Sequence, residues 1–411
     1  MRVVGLITEY NPFHNGHLYH LQKSMEVTGS DCSVCVMSGN YTQRGEPAVF
    51  DKWIRAECAI ANGVDIVIEI PSAFSMASAE FFAYAAIRLL DATGVVDSIC
   101  FGSESGELKI LESIAELLKD ESAGFSETVK ASLSSGLSYP ASLEKAIIGS
   151  IPGLPPGFMR SSNNILAIEY LKSLRKLKSG MIPYTIKRIG NEYKDIEISG
   201  SGFSSATSIR NSIRNGLEVS SMIPENVLNI HARAISEMKG PVLIDRFDRL
   251  LISRIRSMSD DELSQYPFLN EGLASRIRKM SGNHFKLNDL ITASATKRYS
   301  EARIRRGIFS VLTGVTAERL SRFMSAGGPQ YIRILGFSAK GAQLLNSVHD
   351  RASLPVILKT ANAMKGGLKT DLQVEMLKME SDATDQYVLG FPDSGPASSG
   401  QEFTRKIIFP L

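Results

Sequence analysis

The chain is poor in the residues that would staple or anchor it. Only four cysteines stand among 411 residues, at positions 32, 35, 58 and 100, far too few for a secreted disulfide scaffold. Cys32 and Cys35 have the spacing of half a zinc site, but no second Cys or His pair completes it. The segment "CSVCVM" instead alternates like a buried strand, which turns residues three apart to opposite faces. No zinc is expected. No run of about 18 apolar residues occurs, so no membrane-spanning helix and no membrane partner are expected. The opening "MRVVGLITEY" lacks the apolar stretch and small-residue cleavage site of a secretion signal, which points to the cytoplasm. Repeats and long low-complexity tracts are missing too. Trp53 is the single tryptophan and is expected in the core.

Histidine is also scarce, and its placement is informative. Three of the six fall in "EYNPFHNGHLYHL", residues 9–21. The run "RVVGLI" before it is short, apolar and β-branched, as in a buried parallel strand. Asn11-Pro12 ends that strand, and "GHLYHLQKSME" then has the spacing of an amphipathic helix. His14 and His17 therefore stand at a helix start, where unpaired N–H groups and a partial positive charge suit an anion. Attack on a nucleotide α-phosphate needs such donors, because charge grows on the phosphate oxygens as pyrophosphate leaves. Gly16 would let adenine lie close to the backbone. The plain alternative is a pair of helix-start histidines with no ligand.

A second stretch, "GFSSATSIRNSIRNG" (202–216), sets Ser204, Ser205 and Thr207 ahead of a helix carrying Arg210 and Arg214, with Gly216 as its stop. Hydroxyls and N–H groups at a helix start, with an arginine one turn in, form a second phosphate cradle. By itself it would read as an ordinary Ser-capped helix. Strand patterns at 2–8, 32–38, 65–70, 98–102 and 183–189 alternate with helical patterns at 16–27, 52–62, 75–91, 107–119, 125–136 and 162–178. That alternation predicts an α/β fold, a Rossmann-like doubly wound parallel sheet with ligands at the carboxyl ends of the strands. His14, Gly39, Pro71 and Gly102 each follow a strand and should line that edge. Lys52 and Arg55 are further candidates for phosphates or an RNA end, and Glu9 and Asp65 are acidic groups expected near the site.

Length predicts two or three domains. Net charge is only +3, but residues 1–240 carry 22 Lys+Arg against 26 Asp+Glu, and residues 241–411 carry 24 against 17. Gly240-Pro241 is thus the expected boundary, between an activating domain, 1–240, and a mostly helical basic region, 241–411. Within 271–340, 13 basic residues meet 4 acidic ones. There "TKRYSEARIRRGIF" gathers Lys297, Arg298, Arg303, Arg305 and Arg306 around Tyr299 and Phe309. Arginines beside an aromatic suit a phosphate backbone and an unstacked base. A solvated helix face would look similar.

H-x-G-H near the N-terminus and S-S-x-T-x-x-R at the end of an α/β unit are the two signatures of the nucleotidyltransferase superfamily. Ala206 stands between Ser205 and Thr207, so the second match is close rather than strict. "MSGNYTQRGEPAVFDKWIRAECAIANGVDIVIEIP", "FGSE", "SSNNILAIEYL", "IKRIG", "ATKRYSEARIRRGI" and "ILGFSAKG" follow in order, and with them nearly the whole chain resembles the bacterial tRNA(Met) cytidine acetate ligase family. The resemblance implies activation of acetate by ATP to acetyl-adenylate, then acetylation of N4 of the wobble cytidine of elongator tRNA(Met). It implies His14 and His17 as catalytic groups. It implies ATP contacts along Ile7, Thr8, Glu9, Tyr10, Asn11, Pro12, Phe13, His14, Asn15, Gly16, His17, Leu18, Tyr19 and His20. Gly102, Asn163, Arg188, Ser205, Thr207 and Arg210 join them, while Lys297, Arg298, Arg303, Arg305 and Arg306 face tRNA. Asn163 can alternatively cap its own helix. Mg2+ is expected with ATP, with no protein metal cluster. A small-molecule adenylyltransferase and a non-catalytic RNA-binding protein are the competing classes. The long basic second half argues against the first and the intact motifs against the second.

Overall fold

The computed structural model describes residues 1–119, 123–137, 139–188 and 204–409. Ile189, the last residue of one expected strand, and Gly202-Phe203 of the second motif lie outside them. Among the described residues there are seven strands: β1 (Val3–Thr8), β2 (Cys32–Ser38), β3 (Ile66–Ile70), β4 (Ser98–Ser103), β5 (Ile182–Lys187), β6 (Ile332–Phe337) and β7 (Val356–Ile357). They form one sheet in the order β5-β4-β1-β2-β3-β6-β7. The first five are parallel; β1 to β4 are near-continuous apolar runs, as strands covered on both faces are, whereas β5 is a half-exposed edge strand. The chain runs β1 to β3 on one side of β1 and returns to the other side for β4. The gap between β1 and β4 is therefore the switch point, where such sheets open a crevice at the strands' carboxyl ends.

Helices cover both faces. Asn15–Thr28 (α1) and Lys52–Ala61 (α2) pack on one, Ala79–Ala92 and Ser162–Leu177 on the other. Cys32 and Cys35 fall in the cores on opposite faces, as the strand alternation predicts, and all four cysteines are buried free thiols. Among the described residues no helix is long and apolar enough to cross a membrane.

The far edge of the sheet differs from expectation. The strand β6, from "YIRILGF", pairs antiparallel with β3, and β7 pairs parallel with β6. The sheet is thus mostly, not wholly, parallel, and residues beyond 241 complete it. A short apolar run cannot be told from a buried helix by periodicity alone, which is why this strand was not legible. Most of the remaining C-terminal region is helical.

A buried ionic cluster joins the two parts of the chain. The ammonium of Lys52, on α2, lies 2.6 Å from Glu69 Oε1 and 2.6 Å from Glu402 Oε2, with Glu380 3.7 Å away. Arg333 Nε is 3.4 Å from Glu402. Burial and the neighbouring carboxylates push Glu69 well up, against the pull of Lys52. Lys52 and Arg55 therefore do not reach phosphates or RNA. Both are fully buried, and Arg55 holds the carbonyls of Glu9, Ser38, Gly39 and Phe50. Gly39 packs on Glu69 and Glu380, so it belongs to this cluster and not to the crevice. Asp65 is at the opposite end of β3, where it accepts from Ser33 N at 3.0 Å and Ser338 Oγ at 2.7 Å.

Candidate nucleotide-binding site

A cleft of about 520 Å3 opens at the switch point. Its floor is the carboxyl ends of three adjacent strands: Ile7 to Glu9 at the end of β1, Phe101 and Gly102 in β4, and Ile186 to Arg188 at the end of β5. The start of α1 forms one wall. His14 is the N-cap, and its Nδ1 accepts the Gly16 N–H at 3.0 Å. An accepting Nδ1 places the ring proton on Nε2, so the neutral ring keeps a donor. The His14 and His17 rings stack with centroids 3.7 Å apart. Burial, then Arg188 and Arg210, press the His14 pKa down to about 3. Burial and the neighbours His14, Arg188 and His20 hold His17 well below the usual imidazole range, and burial and Arg188 bring His20 down to about 4. These rings are neutral donors at pH 7, not cations. Nδ1 of His17 and Nε2 of His20 are buried without a partner.

The helix Ala206–Arg214 forms the facing wall. Ser205 is its N-cap and accepts from Ser208 N at 3.1 Å. Ser204, Ser205 and Arg210 line the cleft. Thr207 does not: its hydroxyl accepts from Arg44 Nη1 at 3.0 Å and Arg210 Nη2 at 3.3 Å, and so orients both guanidiniums. Arg210 also donates to Asn11 O at 3.0 Å and lies 3.1 Å from Glu46. Arg188 lines the cleft, and no described residue is bonded to its guanidinium. A Cβ on Gly102 would come 3.1 Å from Arg188 Cγ, so this glycine makes room for the arginine that lines the cleft. Glu9 is buried in the cleft, accepts Gln43 N at 2.7 Å, and is pushed up by burial.

Other expected contacts sit differently. Pro12 and Phe13 are core residues, and Leu18 packs partly buried against that core. Asn15 donates away from the cleft, to Ser221 O at 3.0 Å. Tyr10, Asn11, Gly16 and Tyr19 line the cleft with Ile7 and Thr8. Asn163 lines it as well, but donates to Glu104 Oε1 at 2.7 Å. The cap of its helix is the Glu104 carboxylate, which accepts Asn164 N at 2.8 Å, rather than Ser162 or Asn163. Pro71 begins the short helix Ser72–Ser75 outside the cleft.

The basic helix is not a free solvated face. Arg303 donates to Phe268 O at 3.0 Å and Asn270 Oδ1 at 2.7 Å and pairs with Glu271 at 3.2 Å. Arg306 is largely buried, over the Phe268 ring, and burial lowers its pKa to about 10. Arg305 lines the nucleotide cleft. Lys297 and Arg298 are exposed, Arg298 3.4 Å from Glu271. Tyr299 and Phe309 are buried, so neither is a platform for a base. Sequence reasoning missed Gln43, Arg44, Phe82, Phe101 and Tyr170, all on the cleft walls. Nothing in "TQRGEP" marks Arg44. Only the folding of that turn over the cleft brings it there.

A crevice at the switch point, with a helix-start histidine pair facing a serine-capped, arginine-bearing helix, defines a nucleotidyltransferase of the HIGH class. The family profile described as HIGH Nucleotidyl Transferase matches residues 1–402. The protein called tRNA(Met) cytidine acetate ligase in Acetivibrio thermocellus is 43% identical over 99% of this chain and 100% of its own length. Its namesake in Caldanaerobacter subterraneus subsp. tengcongensis is 40% identical over 99% of this chain and 100% of its own. A crystal structure of Thermotoga maritima TmcAL bound with alpha-thio ATP superposes with a TM-score of 0.92 at 36% identity, covering 100% of this chain and 99% of that one. The chain belongs to the tRNA(Met) cytidine acetate ligase family.

Proposed function

We propose that the protein forms N4-acetylcytidine at the wobble position of elongator tRNA(Met), using ATP and acetate, in the cytoplasm. An acetate oxygen attacks the α-phosphorus of ATP and pyrophosphate leaves. The cytidine N4 then attacks the carbonyl carbon of acetyl-adenylate, AMP leaves, and the amine gives up a proton. The observation that carries this reading is the stacked neutral pair His14 and His17 opposite Arg210 across the switch-point cleft. Fixed neutral donors strengthen as charge builds on the α-phosphate, which is what a catalyst of this step must supply. Ser205 and Arg210 hold the β- and γ-phosphates, and Thr207 orients the arginine. Residues 1–240 carry the activation chemistry, and the basic region 241–411 holds tRNA, with Lys297 and Arg298 as its exposed cations.

Mg2+ enters as part of the nucleotide substrate. Among the described residues no three His, Cys, Asp or Glu are grouped to hold a metal ion. Glu9 lines the cleft and accepts from Gln43 N, while Glu46 beside it is paired with Arg210 and Glu104 with Asn163.

The test is nucleoside mass spectrometry of tRNA after incubation with ATP, acetate and the purified protein. N4-acetylcytidine that depends on both small substrates is the expected product. Acetate-independent pyrophosphate exchange, with no modified cytidine, would move the protein to the small-molecule adenylyltransferases.

A further inference from the structure

The cleft holds more positive charge than its two motifs supply. Arg210 comes from the second motif, and Arg188 stands at the end of β5. Arg44 and Arg305 come from neither place, and they are carried by distant parts of the chain. What brings them together is the Gln43–Gly45 turn. Gly45 has φ +75, and a Cβ there would lie 2.3 Å from Arg306 N and 2.8 Å from Arg305 C. A side chain at this position would therefore collide with rigid helix backbone. The close approach seats the turn against the helix Glu301–Thr313, and Arg306 Nη1 reaches Gln43 O at 3.4 Å across it. Arg44 thereby reaches the Thr207 hydroxyl that also holds Arg210, and Arg305 enters the cleft wall from the other side.

Arg305 is poorly satisfied where it stands. Its Nε is buried with no partner among the described residues, and the carboxylate paired with it among them is the half-exposed Glu301, 3.4 Å away. Arg44 and Arg305 both lie near enough to Arg210 to disfavour its charge. Like charges gathered in a half-buried cleft are stable only against a polyanion. Among the described residues Glu46 pairs with Arg210, and Glu9 lies close enough to Arg210 and Arg44 to offset part of their charge. A triphosphate tail, with about four negative charges and many acceptor oxygens, matches the remainder, and guanidiniums suit it by their forked donors.

We infer that Arg305 and Arg44 form a clamp on the β- and γ-phosphates of ATP, so that a residue of the basic C-terminal helix serves the nucleotide and not the tRNA. The clamp binds the leaving pyrophosphate through charge-assisted hydrogen bonds and does not touch the adenosine. The inference rests on the nucleotide reading of the cleft, but not on acetate or tRNA as the other substrates.

The experiment measures ATP and AMP binding to the full-length protein by calorimetry, with neither acetate nor tRNA present. The proteins are wild type, Arg305→Ala, Arg305→Lys and Arg44→Ala. Each alanine variant should weaken ATP binding roughly 10–100-fold, the usual loss of one charged hydrogen-bonding group. AMP binding should stay within about twofold of wild type, which also serves as the internal check that the variant is folded. Arg305→Lys should recover part of the ATP affinity, since it restores charge without the fork. Equal loss of ATP and AMP would overturn the clamp in favour of a structural role. ATP binding unchanged in Arg305→Ala would overturn the clamp. A wild-type protein that binds neither nucleotide would overturn the nucleotide reading itself, and the clamp with it.

Discussion

Replacing His14 by two different residues separates its structural role from its chemical one. The Nδ1 atom caps α1 by accepting Gly16 N–H at 3.0 Å, while Nε2–H remains for the ligand. Asparagine is a strong N-cap whose amide oxygen can take over the first bond, but it has no donor at the place of Nε2. His14→Asn should therefore fold with nearly wild-type stability and slow acetate-dependent ATP–pyrophosphate exchange ~10²–10³-fold, or about 2.7–4 kcal/mol of transition-state stabilisation. His14→Ala should show the same loss of rate and in addition unfold about 1 kcal/mol more easily, because the cap goes too. Urea unfolding followed by circular dichroism reads the second quantity, and isotope exchange reads the first. With its pKa held near 3, His14 should leave no acid limb in the exchange profile between about pH 5 and 8. Exchange at the wild-type rate in His14→Asn would refute the assignment. A stability loss in His14→Asn as large as in His14→Ala would refute the capping argument.

Three other outcomes are expected. Lys52→Met removes the cation shared by Glu69, Glu380 and Glu402 and should cost about 3–5 kcal/mol in urea unfolding, whereas Glu69→Gln, at a carboxyl that burial pushes up toward its neutral form, should cost clearly less. Equal losses would mean that Glu69 is ionised. Buried His231, stacked on Phe50, is pressed down to about 4 by burial, below the value of about 6.5 it takes when unfolded. Its neutral form thus contributes stability that is present above about pH 6.5 and lost as pH falls toward 4. Between pH 7 and 5 wild type should lose about 2 kcal/mol more than His231→Gln, and parallel pH curves would disprove this linkage. Charge reversal at exposed Lys297 and Arg298 should leave pyrophosphate exchange intact and reduce the salt slope of tRNA binding by roughly 0.7–0.9 for each phosphate no longer neutralised. An unchanged slope would remove these two residues from the RNA surface.

Elements whose physics is local could be read from the residues alone. Apolar runs bounded by Asn-Pro, Gly and Pro marked β1 to β4 nearly to the residue, because strands covered on both faces are apolar throughout, and β5 was marked within a residue or two although it is a half-exposed edge strand. The two helix starts, at His14 and Ser205, were legible for the same kind of reason: a cap and a following helix are neighbours in sequence. What lay across the fold was not legible. The strand β6 is a short apolar run like any other until β3 pairs with it. Lys52 and Arg55 look like phosphate ligands in sequence, and only Glu69, Glu380, Glu402 and a ring of carbonyls make them core residues. Charge counting found the basic C-terminal region but could not sort its arginines. One of them props a loop, one is buried under a turn, and one enters the nucleotide cleft. Their identical side chains acquire different roles from the partners each meets, and those partners lie up to 263 positions away in the chain. Local pattern fixes where an element begins and which face it buries, whereas the surroundings of a charge are decided only when distant elements pack.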